Sequence, residues 1–255
     1  MTEDHLFPRG LALPGQRKVT RILHKVDPNF RGARATFLAQ NGVKKKTLCA
    51  DCNNRVLGTE LDPSLIELYK SVSSILDKGR FPILPTIEVK GINLNKVARA
   101  IAGHLIALDD KPQARHVMLR HLRRFVLNKQ SGLESSLYFH MWLFPFNRQG
   151  MLRDLFHAEF GAGYDPLWIS AFKTYPLSFA FSTEVTNPNY RLRGVLDLTG
   201  ALKSGADSLF SLRIPTRPIV DSNWPFAPYR DGAILTGDNG SVTTVPYKNE
   251  KALRG

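Results

Sequence analysis

The sequence predicts an α+β protein in which a compact N-terminal unit is followed by a mixed region of helices and antiparallel sheet. Three observations carry this. Helical apolar spacing dominates the middle of the chain, above all in Asn93–Leu108 and Gln113–Asn128. Beyond Ser135 it gives way to short aromatic or branched runs separated by Gly, Pro and Asn, the pattern of strands. Hydrophobic residues make up 43% and charged residues 22% of the 255, with 15 Phe and 7 Tyr, so the chain can bury a core and is folded rather than disordered.

Residues 1–62 are rich in Gly, Pro and basic side chains and form the first unit. Within it, the apolar runs Ala35–Ala39 and Val43–Leu48 flank Gln40-Asn41-Gly42. An Asn-Gly step favours tight turns, so 35–48 reads as a hairpin. Asn53 then caps a short helix that ends at Leu61, before Asp62-Pro63. Residues 63–220 form an α+β region. Pro63 opens a helix over Ser64–Leu76, with Leu65, Leu68, Val72, Ile75 and Leu76 on one face, and 79–85 interrupts it. Asn93–Leu108 is a strongly apolar helix. Gln113–Asn128 is amphipathic, with Met118, Leu119, Leu122, Phe125 and Val126 opposite Arg115, His116, Arg120, Arg123 and Arg124. Strands are expected at Leu137–Phe144, Leu177–Phe181, Val195–Leu198 and Leu209–Ile214, and residues 221–255 read as a loop-rich tail. Of the aromatic residues in the first of these strands, alternation sends Phe139 and its neighbours to a core before any base.

Thirty-five Lys+Arg against 22 Asp+Glu give a net charge of +13 and make nucleic acid the leading partner class. No run of apolar residues is long enough for a membrane helix and no signal pattern opens the chain, so a cytoplasmic protein is expected. The two cysteines, Cys49 and Cys52, have a metal or redox spacing rather than that of a disulfide framework.

Two short elements carry chemistry: Glu3-Asp4-His5 near the start, and Cys49-Ala50-Asp51-Cys52-Asn53. In this order, with Asn directly after the second Cys, they resemble the HNH (ββα-metal) endonucleases, in particular the zinc-bearing branch that includes phage recombination endonuclease VII. The resemblance covers residues 2–62, a quarter of the chain, and implies that 1–62 is a ββα-metal nuclease module. It further implies that Asp4 and Asn53 bind a catalytic Mg²⁺ or Mn²⁺, that His5 is the general base, and that Cys49 and Cys52 hold a structural Zn²⁺. If Leu57-Gly58 sets the alignment, Asn54 replaces Asn53. Glu60, at i+7 from Asn53 and so on the same α-helical face, is a candidate further ligand.

These residue types suit the chemistry. A neutral imidazole accepts a proton from water at physiological pH, and a hard cation prefers carboxylate and amide oxygens. A structural zinc site wants four ligands, however, and the branch supplies the other two from a Cys-x-x-Cys upstream of the Asp-His pair. Three readings follow: the zinc has been lost, or His24 and another residue complete it, or Met1 is an internal start. The last is preferred here because Cys49 and Cys52 keep their ligand spacing.

The expected function is divalent-metal-dependent hydrolysis of phosphodiester bonds in nucleic acid, DNA by the resemblance, with Lys44, Lys45, Lys46 and Arg55 contacting the polyanion. The alternatives are a non-catalytic nucleic-acid-binding protein with a degenerate HNH module, and a protein that binds a partner through an intermolecular zinc site.

Overall fold

β1 (Thr2–His5) and a 3₁₀ turn (Arg9–Leu11) open the chain and lead into β2 (Arg17–Arg21), the short α1 (Leu23–Val26), β3 (Thr36–Ala39) and β4 (Lys44–Leu48). A π-helical segment, Asp51–Leu61, runs directly into α2 (Asp62–Ile75). Then come β5 (Thr86–Asn93), α3 (Leu94–Ala107), α4 (Val117–Leu127), β6 (Leu137–Leu143), β7 (Gln149–Glu159), β8 (Leu167–Thr174) and β9 (Leu177–Thr183). β10 (Val195–Asp197), α5 (Thr199–Leu202), β11 (Leu209–Pro215), β12 (Gly232–Thr236) and β13 (Val242–Pro246) complete it. This computed structural model describes every residue except 27–35, 41, 78–83, 109–116, 160–166, 184–193, 206, 227–231, 237–239 and 248–255.

The α+β class is observed, built on a nine-stranded antiparallel sheet of order β10-β6-β9-β8-β7-β13-β2-β3, with β12 also paired to β7. β7 serves two partners on one edge. Gln149–Met151 face β13 and Leu155–Glu159 face β12, with a bulge between them. At the bulge Asp154 has a positive φ of 49°, and its N–H donates to Ser170 Oγ at 3.0 Å.

Period-two alternation sends the two sheet faces to different neighbours. One face, with Phe139, Phe172, Phe179 and Phe181, joins the core formed with the helices. The other carries Trp142, Leu155 and Ile169 beneath Trp224, whose ring lies 5.2 Å from that of Trp142. Between these layers and the outer helices runs α3, almost wholly buried. Its start is capped by Asn93 Oδ1, which accepts from Lys96 N–H at 3.0 Å. Arg99 on α3 stacks over Phe125 and donates to the carbonyls of Asn128, Lys129 and Ser131, which follow α4. No helix among the described residues is long and apolar enough to cross a membrane.

The helix at 64–76, the apolar helix at 93–108, the buried face of α4 and all four expected strands are present. Gln113–His116, including Arg115 and His116, lie outside the described residues. Three expectations change. Among the described residues, which leave out Ala35 and Asn41, the two arms of the 35–48 hairpin are not paired with each other: β3 pairs with β2 and β4 with β1, so each arm takes its ladder hydrogen bonds from another strand. The helix does not stop at Leu61. It changes winding there, with Asp62 N–H bonded to Leu57 C=O, and Pro63, having no N–H to donate, sits where the bonding register changes. The tail is not all loop, since β13 lies between β2 and β7 and ties the end of the chain to its beginning.

Candidate active site

β1 and β4 form a small antiparallel ladder of their own. Thr2 stands opposite Leu48, Asp4 opposite Lys45 and His5 opposite Lys44, and Leu6 N–H extends it to Val43 C=O at 2.9 Å. Lys45 Nζ donates to Leu108 C=O at 2.8 Å and Thr47 Oγ1 to Ala107 C=O at 2.6 Å. These carbonyls end α3 and have no intrahelical donors, so β4 docks by capping that helix with a cation at its negative end. Phe7 anchors the other strand, its ring 5.1 Å from that of Phe172.

The His5 end of the ladder opens on a cleft of about 480 Å³. Four cationic or basic side chains line it, His5, Arg9, Arg17 and Lys44, and no carboxylate does so among the described residues. Arg17 forms part of the floor and is 2% exposed. Its guanidinium donates to Asn147 Oδ1 at 2.7 Å, Asn147 C=O at 3.1 Å and Thr244 Oγ1 at 3.2 Å, all neutral acceptors. Burial pulls its pKa below the ordinary arginine value. Gln149 holds the adjoining wall by donating to Leu11 C=O at 3.3 Å. Lys44 is tied to Glu3 at 3.2 Å on the solvent side.

His5 is half-buried here. Burial, then Lys44 and Arg9, lowers its pKa from the usual 6.5, against a smaller opposing effect of Glu3. Gly42, at φ +78°, closes over the ring, and a Cβ there would lie 3.2 Å from His5 Nδ1.

At the Thr2 end, the start of the π-helical segment presents the cysteine knuckle. Cys52 N–H donates to Cys49 Sγ at 3.2 Å. A side-chain hydrogen bond between the two sulfurs, and then this backbone bond, lowers the Cys49 pKa, while the side-chain bond and burial push the Cys52 thiol up to about 11. Asn53 Nδ2 donates to Thr2 Oγ1 at 3.2 Å, which leaves the amide oxygen as its remaining acceptor. Thr2 and His5 are three residues apart in β1, about 10 Å at the rise of a strand. The knuckle borders an apolar groove of about 270 Å³ lined by Val56, Leu57, Ile106 and Val126. Gly103 of α3 makes room for this approach, since a Cβ there would overlap Leu57 Cδ2.

The structure therefore separates residues that the sequence pattern groups. His5 and Lys44 share the cleft, and Asn53, Cys49 and Cys52 share the opposite end. Asp4 lies between them in register with Lys45, its side chain outside the described part. Glu60 is not turned to Asn53's partner. It accepts ion pairs from Arg55 at 2.8 Å and Lys129 at 2.7 Å, and these cations hold its carboxyl below the usual range. The i,i+5 link from Arg55 to Glu60 is natural to π-helical winding, which also shifts the face that the α-helical i+7 rule had assigned to Glu60. Arg55 is further paired with Asp51 at 2.7 Å, Lys45 serves α3, and Asn54 and Lys46 are exposed.

Two thiols make half of a closed zinc site, and among the described residues no group of three or more His, Cys, Asp and Glu gathers anywhere. A four-ligand zinc thus does not fit the described residues of one chain. For a hard divalent cation, the amide oxygen of Asn53 and the carboxylate of Asp4 have the right donor chemistry.

Sequence reasoning missed Arg9, Arg17 and Gln149. Arg9 lies only four residues from His5 and could have been included; Arg17 and Gln149 reach the cleft through sheet pairings that no local pattern announces. Comparison with protein-family models, with curated proteins and with solved structures finds no match to this chain.

Proposed function

We propose that the protein is a divalent-metal-dependent endonuclease that hydrolyses phosphodiester bonds in nucleic acid, DNA by its resemblance to the HNH enzymes, with His5 as the general base. The observation that carries this reading is the placement of His5 in the wall of a cleft lined by Arg9, Arg17 and Lys44 and by no described carboxylate. Such a cleft attracts a phosphodiester and offsets the charge that builds on it during attack. There His5 takes a proton from a water whose oxygen forms the new bond to phosphorus as the bond to the leaving oxygen breaks. The leaving oxygen picks up its proton from solvent. A divalent cation would supply Lewis-acid polarisation of the phosphate; of the two expected ligands, Asp4 adjoins His5 in β1 and would be the one to hold it there, whereas Asn53, bonded to Thr2, would lie at the far end of the strand.

Nicking of supercoiled plasmid with Mg²⁺ or Mn²⁺ tests this. His5→Ala is expected to lower the rate by about 10²–10⁴-fold with an unchanged circular dichroism spectrum, and EDTA to abolish cleavage. Wild-type rates in His5→Ala overturn the assignment of the base, and absence of cleavage in either metal overturns the enzyme reading. A second reading, a nucleic-acid-binding protein without catalysis, draws on the incomplete cysteine knuckle and on the ion pairs that occupy Glu60. Salt-sensitive DNA binding without nicking would select it.

A further inference from the structure

Resting on the reading of the His5 cleft as the nucleic-acid site, we infer that its substrate is single-stranded, held one nucleotide at a time with a phosphate on Arg9 and Arg17. Arg17 decides this. Its charge sits on the floor of the cleft, 2% exposed, with neutral hydrogen-bond acceptors and no ion pair among the described residues. A buried cation of this kind is costly to keep without a counter-charge, and an anion entering the cleft supplies one.

A ligand must descend to reach it. Duplex DNA is stiff, with a persistence length of about 50 nm, and its bases are paired inside. It can lay phosphates across the exposed Arg9 at the mouth but cannot bring one to a recessed floor. A single strand can bend and unstack. The cleft's volume of about 480 Å³ falls in the range of pockets for one small ligand. The cleft is also lined by the apolar Leu13, Pro14 and Val43, which offer a base a surface away from water.

The test is fluorescence anisotropy in EDTA, so that binding is read without cleavage, with a 5′-fluorescein oligodeoxynucleotide offered single-stranded and as a hairpin duplex. The single strand is expected to bind more tightly by about tenfold or more, the cost of unpairing a base. Arg17→Gln should weaken single-strand binding. Arg9→Gln, at an exposed position that leaves the fold intact, should lower the slope of log affinity against log salt by about 0.7, the value of one phosphate contact. Arg213→Gln on β11 is the control and should change neither. Equal affinity for the duplex overturns the proposal, as does an Arg9→Gln variant with unaltered single-strand affinity and slope. Because no cleavage is measured, single-strand preference can stand even where His5→Ala sinks the nuclease assignment, and the reverse.

Discussion

The two ends of the β1–β4 ladder are built in different ways. At the His5 end the site is assembled from distant parts of the chain: Arg9 from a 3₁₀ turn, Arg17 from β2, Lys44 from β4 and Gln149 from β7. At the Thr2 end most of the polar groups come from one stretch, Cys49 to Glu60, with Thr2 and Lys129 as outside partners. The first is an electrostatic device that needs the large sheet as its floor. The second is a local turn wedged against α3, with apolar packing around it. One end can therefore be altered through charge, whereas the other responds chiefly to volume.

Gly103→Val should produce the largest stability effect. It drives a branched side chain into the space of Leu57, and overpacking of this kind costs about 1–3 kcal/mol. Chemical denaturation should show the loss, while single-strand affinity in EDTA stays at the wild-type value. A matching loss of affinity would mean that the two ends are coupled and the contrast between them is false.

Gly42→Ala should cost about 1 kcal/mol, since alanine resists the positive φ of 78° there. Its Cβ also presses on His5 Nδ1, so cleavage should fall by more than the stability change explains. A destabilised variant with full activity would show that the ring does not need its present position.

The smallest effect is electrostatic. In the folded protein His5 titrates below 6.5, so the unfolded chain binds more protons as pH falls past that value, and the stability His5 contributes is lost towards acid. Lys44→Gln removes one of the causes and should raise the imidazole pKa and lessen the acid loss, as read by NMR titration of the ring. Cys49→Ser at the far end should leave that titration where it is. If it moves, charge is felt across the whole ladder.

Much of the helical layer was legible. Leu65, Leu68 and Val72, or Met118, Leu122 and Phe125, declare their buried face through spacing alone. The strands of the last third were not all legible: β12 and β13 have five residues each, too few to show a period, and the longer β7 and β8 were missed as well, since a bulge breaks the alternation of β7 and β8 is buried on both faces. Pro63 misled for a related reason. It normally marks a boundary, yet a change of helical register removes the hydrogen bond it would otherwise break.

By itself the sequence determined what is local: the longer helices, four of the aromatic or branched strand runs, the basic balance, and the pairing of an Asp-His step with a Cys-x-x-Cys-Asn turn. Tertiary structure decided which of those residues share a space. It set His5 among Arg9, Arg17 and Lys44, turned Lys45 to the end of α3, and moved Asn53 to the opposite end of a short strand. The physical reason is that spacing along the chain reports only neighbours within one element. A cleft is made by strand pairings between segments far apart in the chain, and the charge gathered there depends on which of those segments meet.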